Sequence, residues 1–219
     1  MAKKTDPAPR LDPLRLHGLE EGDPTALAAG ESYEGLRIAG ADLTEWDLSG
    51  ATFTECELVD WTVHDTGLRA IRLLETRLER LNAPVLVAPR ATLRDVEIDG
   101  SRLGSAELYD AELERVVVSA SKLGWLNLRS SRLEDVLFRG CRFDELDLGG
   151  ATLARVAFED CTVDRLVLHG ARATHLDLRG LEVSAIDGIE GMRGARIGEV
   201  QAAAMTGLFA AHLGIEIAD

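Results

Sequence analysis

From Tyr33 to Val183 every fifth residue is apolar: thirty-one consecutive positions, including Leu93, Ile98, Leu103, Leu108, Leu113, Val118, Leu123, Leu128, Leu133, Phe138, Phe143 and Leu148. In a chain that is 46% apolar, chance would produce this in roughly one sequence in a billion or fewer. A period of five matches neither the 3.6 of a helix nor the 2.0 of a strand, so each unit must be a short extended segment followed by a corner. A second inward position, two residues earlier, alternates small and large from Ala111 onward: Ala111, Val116, Ser121, Leu126, Ser131, Val136, Cys141, Leu146, Ala151, Val156. Its large members divide into a Val column (Val96, Val116, Val136, Val156) and a Leu column (Leu126, Leu146, Leu166), so like meets like only every twenty residues. Four pentapeptides therefore make one coil of a square solenoid, with neighbouring backbones about 4.8 Å apart. Gly40, Gly50, Gly100, Gly140, Gly150, Gly170 and Gly180 share the slot two after the centre, where a type II turn requires positive φ.

The units Ala41-Asp42-Leu43-Thr44-Glu45, Ala51-Thr52-Phe53-Thr54-Glu55, Cys141-Arg142-Phe143-Asp144-Glu145 and Ala151-Thr152-Leu153-Ala154-Arg155 resemble the A(D/N)LXX signature of pentapeptide repeat proteins, over about seven-tenths of the chain. The resemblance implies an all-β solenoid, a right-handed quadrilateral parallel β-helix, here of about eight coils. Two departures are local: the second inward slot often holds Val, Leu or Trp, and the polar slot before the centre is often Arg or Glu.

The division expected is a tail and lead-in over 1–22, a cap over 23–30, the solenoid over 31–186 and a helical cap or dimerisation segment over 187–219. Residues 1 to about 10 read as disordered. Asp23-Pro24 reads as an N-cap and first helical position, with Gly30 as the stop. At Leu81 to Arg90 the centres shrink to Ala83 and Ala88 while the partner slots grow to Leu81 and Leu86, which roughly conserves inward volume. Pro84 and Pro89 suit a turn there, with a kink or bulge left open. A buried helix is expected over 199–213, with Gln201 reaching back as in a capping box and Gly214 as C-cap.

Charge narrows the partners. A net charge of −14 disfavours binding to nucleic acid or an anionic membrane. The first ten residues have no apolar run behind Lys3 and Lys4, and no segment reaches membrane-spanning length, so a cytoplasmic protein is expected. Cys56, Cys141 and Cys161 occupy the small inward slot and read as buried free thiols. The five histidines are scattered, and no phosphate loop, nucleophile elbow or Cys-His pair is present. No metal, cofactor or catalytic residue is expected.

Three surfaces are candidates for binding. Residues 31 to 66 hold nine acids and one base, so Asp42, Glu45, Asp47, Glu55, Glu57, Asp60 and Asp65 mark an acidic end. Val117, Leu137 and Ala157 share one outward slot on successive coils, a docking strip or ordinary scattered aliphatics. Trp125, at an outward corner, is either a binding anchor or a locally packed ring. The C-terminal helix offers Val200, Ala204, Met205, Leu208, Phe209 and Leu213 for a homodimer. Some pentapeptide repeat proteins are DNA mimics that bind DNA gyrase and protect it from quinolones or toxins, which the resemblance brings to this chain as one reading. Residues 31–185 carry 28 acids and 18 bases over a rod of about 37 Å, where duplex DNA would carry roughly 22 charges. As a mimic the whole rod is dilute. The other reading is a generic scaffold for a different protein partner.

Overall fold

The computed structural model describes residues 7–218. The expected disorder of the tail therefore falls partly, at residues 1–6, outside the described residues. The coils stack in register at a spacing of 20 residues without exception from Thr92 to Arg165: Leu113 pairs with Leu93 and Leu133, Leu133 with Leu153, and Phe143 with Leu123 and Val163. All pairing is parallel and divides into two sheets. Strands such as Thr92–Asp99, Glu112–Ser119 and Arg132–Arg139 form the larger, and strands such as Asn82–Val87, Arg102–Glu107 and Lys122–Asn127 the smaller. One apolar cluster fills the interior along the whole stack, with Phe53, Leu128, Leu133, Phe138, Phe143 and Leu148 all at 1% exposure or less. Aromatic rings stack from coil to coil as the register requires, Phe138 on Phe158 with centroids 5.2 Å apart and Tyr33 on Phe53 at 5.0 Å.

The corners differ from expectation in an informative way. Several are hydrogen-bonded β-turns, as at Leu48 to Ala51 and Leu148 to Ala151, with Gly50 and Gly150 at φ 71° and 68°. The left-handed conformation, however, is not confined to glycine: Asp95, Arg115, Asp135 and Arg155 adopt it on four successive coils. Each such residue costs on the order of 1 kcal/mol, so the stack imposes the corner on whatever residue arrives there. Val85, Ser105, Trp125, Glu145 and Arg165 escape it, and the chain runs straight through that slot. Gly180 also lacks positive φ. A Cβ on it would sit 2.3 Å from the carbonyl oxygen of Phe158, so close approach of backbone explains this glycine.

Pro84 lies inside a strand, where the pairing of Thr62–Gly67 with Asn82–Val87 slips: His64 opposes Val85. It marks a bulge, a position where a missing N–H costs no ladder bond. The slip is also where inward volume is not conserved. An apolar cavity of about 90 Å³ lies among Leu58, Trp61, Leu73, Leu81, Leu86 and Ala88.

Both ends are covered. Asp23 caps a short 3₁₀ turn, Pro24–Ala26, by accepting from the Thr25 N–H at 2.8 Å, and Leu27 beneath it is buried. Glu20 and Glu21 pair with Leu36 and Arg37 on the first coil. At the other end the expected single helix is two, α1 (Glu199–Ala204) and α2 (Thr206–His212), broken at Met205. Gln201 accepts from the Gly198 N–H at 2.8 Å, as expected, and its amide also donates to the Leu178 and Leu181 carbonyls at 2.6 and 2.7 Å. One side chain thus starts the helix and terminates the last coil. Gly214, at φ 69°, closes α2, and the Ile215 N–H donates to the Ala210 carbonyl.

Two outcomes test this packing. Replacing Leu128 or Leu148 with Ala should lower unfolding free energy by about 2–5 kcal/mol in chemical denaturation; a loss below about half a kcal/mol at both would contradict the register. Ala88→Val should instead raise stability by about 0.5–1.5 kcal/mol by filling the cavity beside it, and a decrease would mean that the space is not there.

Candidate functional site

The acidic end divides in two once folded. Asp42 and Asp47 bridge to Thr62 and Gly67 on the smaller sheet, whereas Glu57 pairs with Arg37 and Arg77 on the larger. Ion pairs then neutralise part of it from the next coil. Glu57 meets the guanidinium of Arg37 at 3.0 Å and that of Arg77 at 3.6 Å, and Asp60 takes Arg80 at 2.6 Å. The Arg80 hydrogen bond holds the Asp60 carboxyl below its ordinary range. Asp65 lies 3.6 Å from His64. By contrast Asp42 and Asp47 accept from the hydroxyl of Thr44 and the N–H groups of Thr44 and Ser49, turn contacts that hold both carboxyls down without a counter-charge. Glu31, Glu34, Glu45 and Glu55 make no ion pair among the described residues. The carboxylates without an ion pair lie on the first coil and, at Glu55, on the second, where Glu57 and Asp60 are neutralised.

Beyond it, the register that stacks the coils also stacks opposite charges. Arg115 grips Asp95, Arg155 grips Asp135, Arg94 reaches Glu114 and Arg139 reaches Glu159, each 20 residues away. Such exposed pairs are worth little individually. Their effect is to neutralise those columns, which a count along the sequence could not reveal, whereas Arg102, Lys122 and Arg142 stack as like charges on the smaller sheet.

The docking strip is real as a column, since Val117, Leu137 and Ala157 are direct cross-strand neighbours. It is not an open strip. Leu137 is only 6% exposed, because the N-terminal segment runs along this face. Pro9 and Leu11 lie beside Leu137 and Ala157, and Leu11 to Leu14 beside Val117. Three main-chain contacts fix the segment. The Arg10 N–H donates to Asp135 at 2.8 Å, the Leu14 N–H to Glu97 at 3.2 Å, and the Arg77 guanidinium donates to the Leu14 carbonyl at 3.3 Å. Asp135 is buried, and although burial opposes ionisation, the Arg155 pair and the Arg10 N–H together keep its carboxyl below the ordinary value. What reads as a loose lead-in is a strap over residues 7–16. A signal was present: Pro7, Pro9 and Leu11, then Leu14 and Leu16, are the half-buried residues, a two-residue alternation that shifts once at Pro13.

Trp125 does not join that strip. It stands mid-strand on the smaller sheet, 61% exposed, in a column with Ser105 and Glu145, and Val85 and Val87 on the same sheet are also exposed. Gly124 beside it is buried, because a Cβ there would meet the Gly104 carbonyl at 2.3 Å. Trp46 is partly buried and Trp61 buried, the latter donating to the Ile38 carbonyl at 3.0 Å. Of the six helix residues, Met205 is buried within the chain, Leu208 and Phe209 are half-buried, and Val200, Ala204 and Leu213 are exposed. The apolar helix is therefore not hidden, as its composition suggested, but turned partly outward. Cys56, Cys141 and Cys161 are buried free thiols, and burial pushes the Cys56 thiol up. Among the described residues no three His, Cys, Asp or Glu side chains are grouped to hold a metal ion, and no helix is long and apolar enough to cross a membrane.

No family model matches the chain. Among curated proteins it is similar to a tRNA dimethylallyltransferase of Lactococcus lactis subsp. cremoris (strain MG1363), 33% identical over 86 residues. The match covers 37% of this chain and 29% of that enzyme. Among solved structures it is similar to full-length QnrB1, a plasmid-mediated fluoroquinolone resistance protein, with 18% identity, TM-score 0.35, and coverage of 90% of this chain and 95% of that one. It is also similar to HetL, a pentapeptide repeat protein involved in heterocyst differentiation regulation from the cyanobacterium Nostoc sp. strain PCC 7120. There the identity is 15%, the TM-score 0.24, and coverage 76% of this chain and 91% of HetL. The fold is read from the chain's own register: with a five-residue period and coils of four pentapeptides in parallel alignment, the chain is a pentapeptide-repeat β-solenoid.

Proposed function

We propose that the chain is a non-catalytic protein-binding rod in the cytoplasm, that it engages a basic partner through its first coil, and that DNA gyrase is the target to test first. The observation that carries this is the set of carboxylates on the first coil, with Glu55 at the start of the second, that make no ion pair among the described residues. Asp42 and Asp47 are held ionised by turn contacts, and Glu31, Glu34, Glu45 and Glu55 stand beside them in sequence without ion pairs. Over less than two coils of rise such a density equals or exceeds that of DNA. Like charges held together oppose folding, so their retention at one end favours a binding role. The pentapeptide-repeat resemblance supplies gyrase as a candidate, and the neutralised coils beyond it argue against mimicry along the whole rod. A generic scaffold is the second reading, favoured by the covered strip and by exposed Trp125 on the opposite sheet.

We further propose a homodimer through the C-terminal segment, because Val200 at 85%, Leu213 at 69% and Ile217 at 65% exposure leave an apolar surface of the chain without cover.

The charge proposal is tested by a chain bearing Asp42→Asn, Glu45→Lys, Asp47→Asn and Glu55→Lys, which keeps the turn caps and leaves the Glu57 and Asp60 ion pairs intact. Wild type should alter gyrase supercoiling in a salt-sensitive way, and the variant should lose at least tenfold in potency with its circular dichroism unchanged. Equal potency would remove the first coil as the site, and no effect of wild type would leave the scaffold reading. For the dimer, light scattering at micromolar concentration should give twice the chain mass, and Val200→Lys with Leu213→Lys should halve it. A monomeric wild type would end that proposal.

A further inference from the structure

The strap offers a view of what one face of the rod recognises, because it is an extended peptide already seated there. Its hydrogen bonds with the coils at Arg10 and Leu14 use the strap's main chain and side chains of the rod. Any extended peptide carries the same N–H and C=O groups. The receiving groups are fixed in advance: Asp135 is held by Arg155 at 2.5 Å, and Glu97 is held by Arg77 at 2.8 Å. The two anchors lie on strands two coil steps apart. Four extended residues reach about 13 Å, enough to cover two steps of about 4.8 Å.

Apolar selectivity comes from the outward column that runs past both anchors, Val117, Leu137 and Ala157. Pro9 and Leu11 line one cleft with Leu137 and Ala157, and the strap presents its half-buried residues at alternate positions. It does not fill the face. Open clefts of about 340 and 530 Å³ flank it on either side of Leu11, the first reaching Val117 and Glu97, the second Ala157 and Arg179. The coils' own ladder bonds are all made with neighbouring coils, so the strap lies on a face and not at a sheet edge and has no ladder to lose on leaving.

We propose that this face is a peptide-binding surface occupied in cis by residues 7–16, and that its partner is an extended segment of another protein with proline and leucine at alternate positions, which displaces the strap. This does not rest on the acidic first coil or on gyrase.

The test uses the full-length chain with Leu137→Cys as a reporter and measures its rate of reaction with a maleimide. Parent protein, whose three thiols are buried, gives the background. With the strap intact the reporter should react slowly. Adding Leu11→Asp and Leu14→Asp should speed it at least tenfold, and a synthetic peptide of residues 7–18 added in trans should slow it again in a saturable way. A peptide carrying the same two aspartates should not. Equal rates with intact and altered strap would show that the strap does not cover the face and would overturn the proposal, as would failure of the wild-type peptide to protect. Protection of the intact chain that vanishes on dilution would assign the strap to a second copy, and would overturn the cis arrangement. Should Leu137→Cys fail to fold, Ala157→Cys reports on the same column by the same readings.

Discussion

Through the stack the coils of this protein hydrogen-bond their main chains to the coils before and after at an offset of twenty residues, broken only by the slip at His64 among the described strands, and that parallel ladder decides almost everything else. Because the ladder satisfies the backbone of the strands through the middle of the stack, each slot sees nearly the same surroundings on every coil. The inner slots must then hold residues whose volumes sum to a constant, which is why small and large alternate and why the aromatic rings stack on one another. The corners follow from the same constraint. Asp95, Arg115, Asp135 and Arg155 stand in the left-handed region although none is glycine, and the intercoil bonds on either side offset the strain.

Electrostatics obeys the ladder too. A column of identical charges 4.8 Å apart would be repulsive, and on several outer columns the chain avoids it by placing arginine one coil from aspartate or glutamate, whereas Arg102, Lys122 and Arg142 stack as like charges on the smaller sheet. The first coil is the exception for a geometric reason. It has a neighbour on one side only, and the residues that precede it, Glu20 and Glu21, are themselves acidic. Glu45 therefore receives no guanidinium from below, whereas Glu57, on the second coil, has one on each side, from Arg37 and Arg77. Excess charge at this end is a consequence of ending the stack there without a basic cap.

How much of this could be read from the sequence follows the same division between periodic and singular contacts. The centres, the small slot, the twenty-residue coil, the Asp23 cap and the Gln201 capping box were all legible because each is a local pattern or a repetition of one. Ion pairs across coils were legible only after the offset was applied, so counting charges over residues 31 to 66 overstated the acidic end by omitting Arg77 and Arg80. The cavity beside Ala88 escaped because conserved volume along the chain does not guarantee conserved volume at one level when the bulge at Pro84 shifts the backbone. The split helix escaped because its propensity is uniform through Met205, and the break follows from docking Gln201 onto the last coil.

The strap was the hardest feature to foresee, and its physics explains why. Its contacts link residues 83 and 125 positions apart, they occur once, and they use main-chain atoms, which leave no mark in the strap's own sequence beyond a two-residue alternation interrupted at Pro13. On the rod, the mark is a column of outward aliphatics, Val117, Leu137 and Ala157, that a solvated face would not need. The opposite sheet shows the uncovered case: Val85, Val87 and Trp125 stand 38–61% exposed. A solenoid has many such faces and few residues outside its coils to cover them, so an outward apolar column on one coil set argues for an occupant, and here the chain supplies the first.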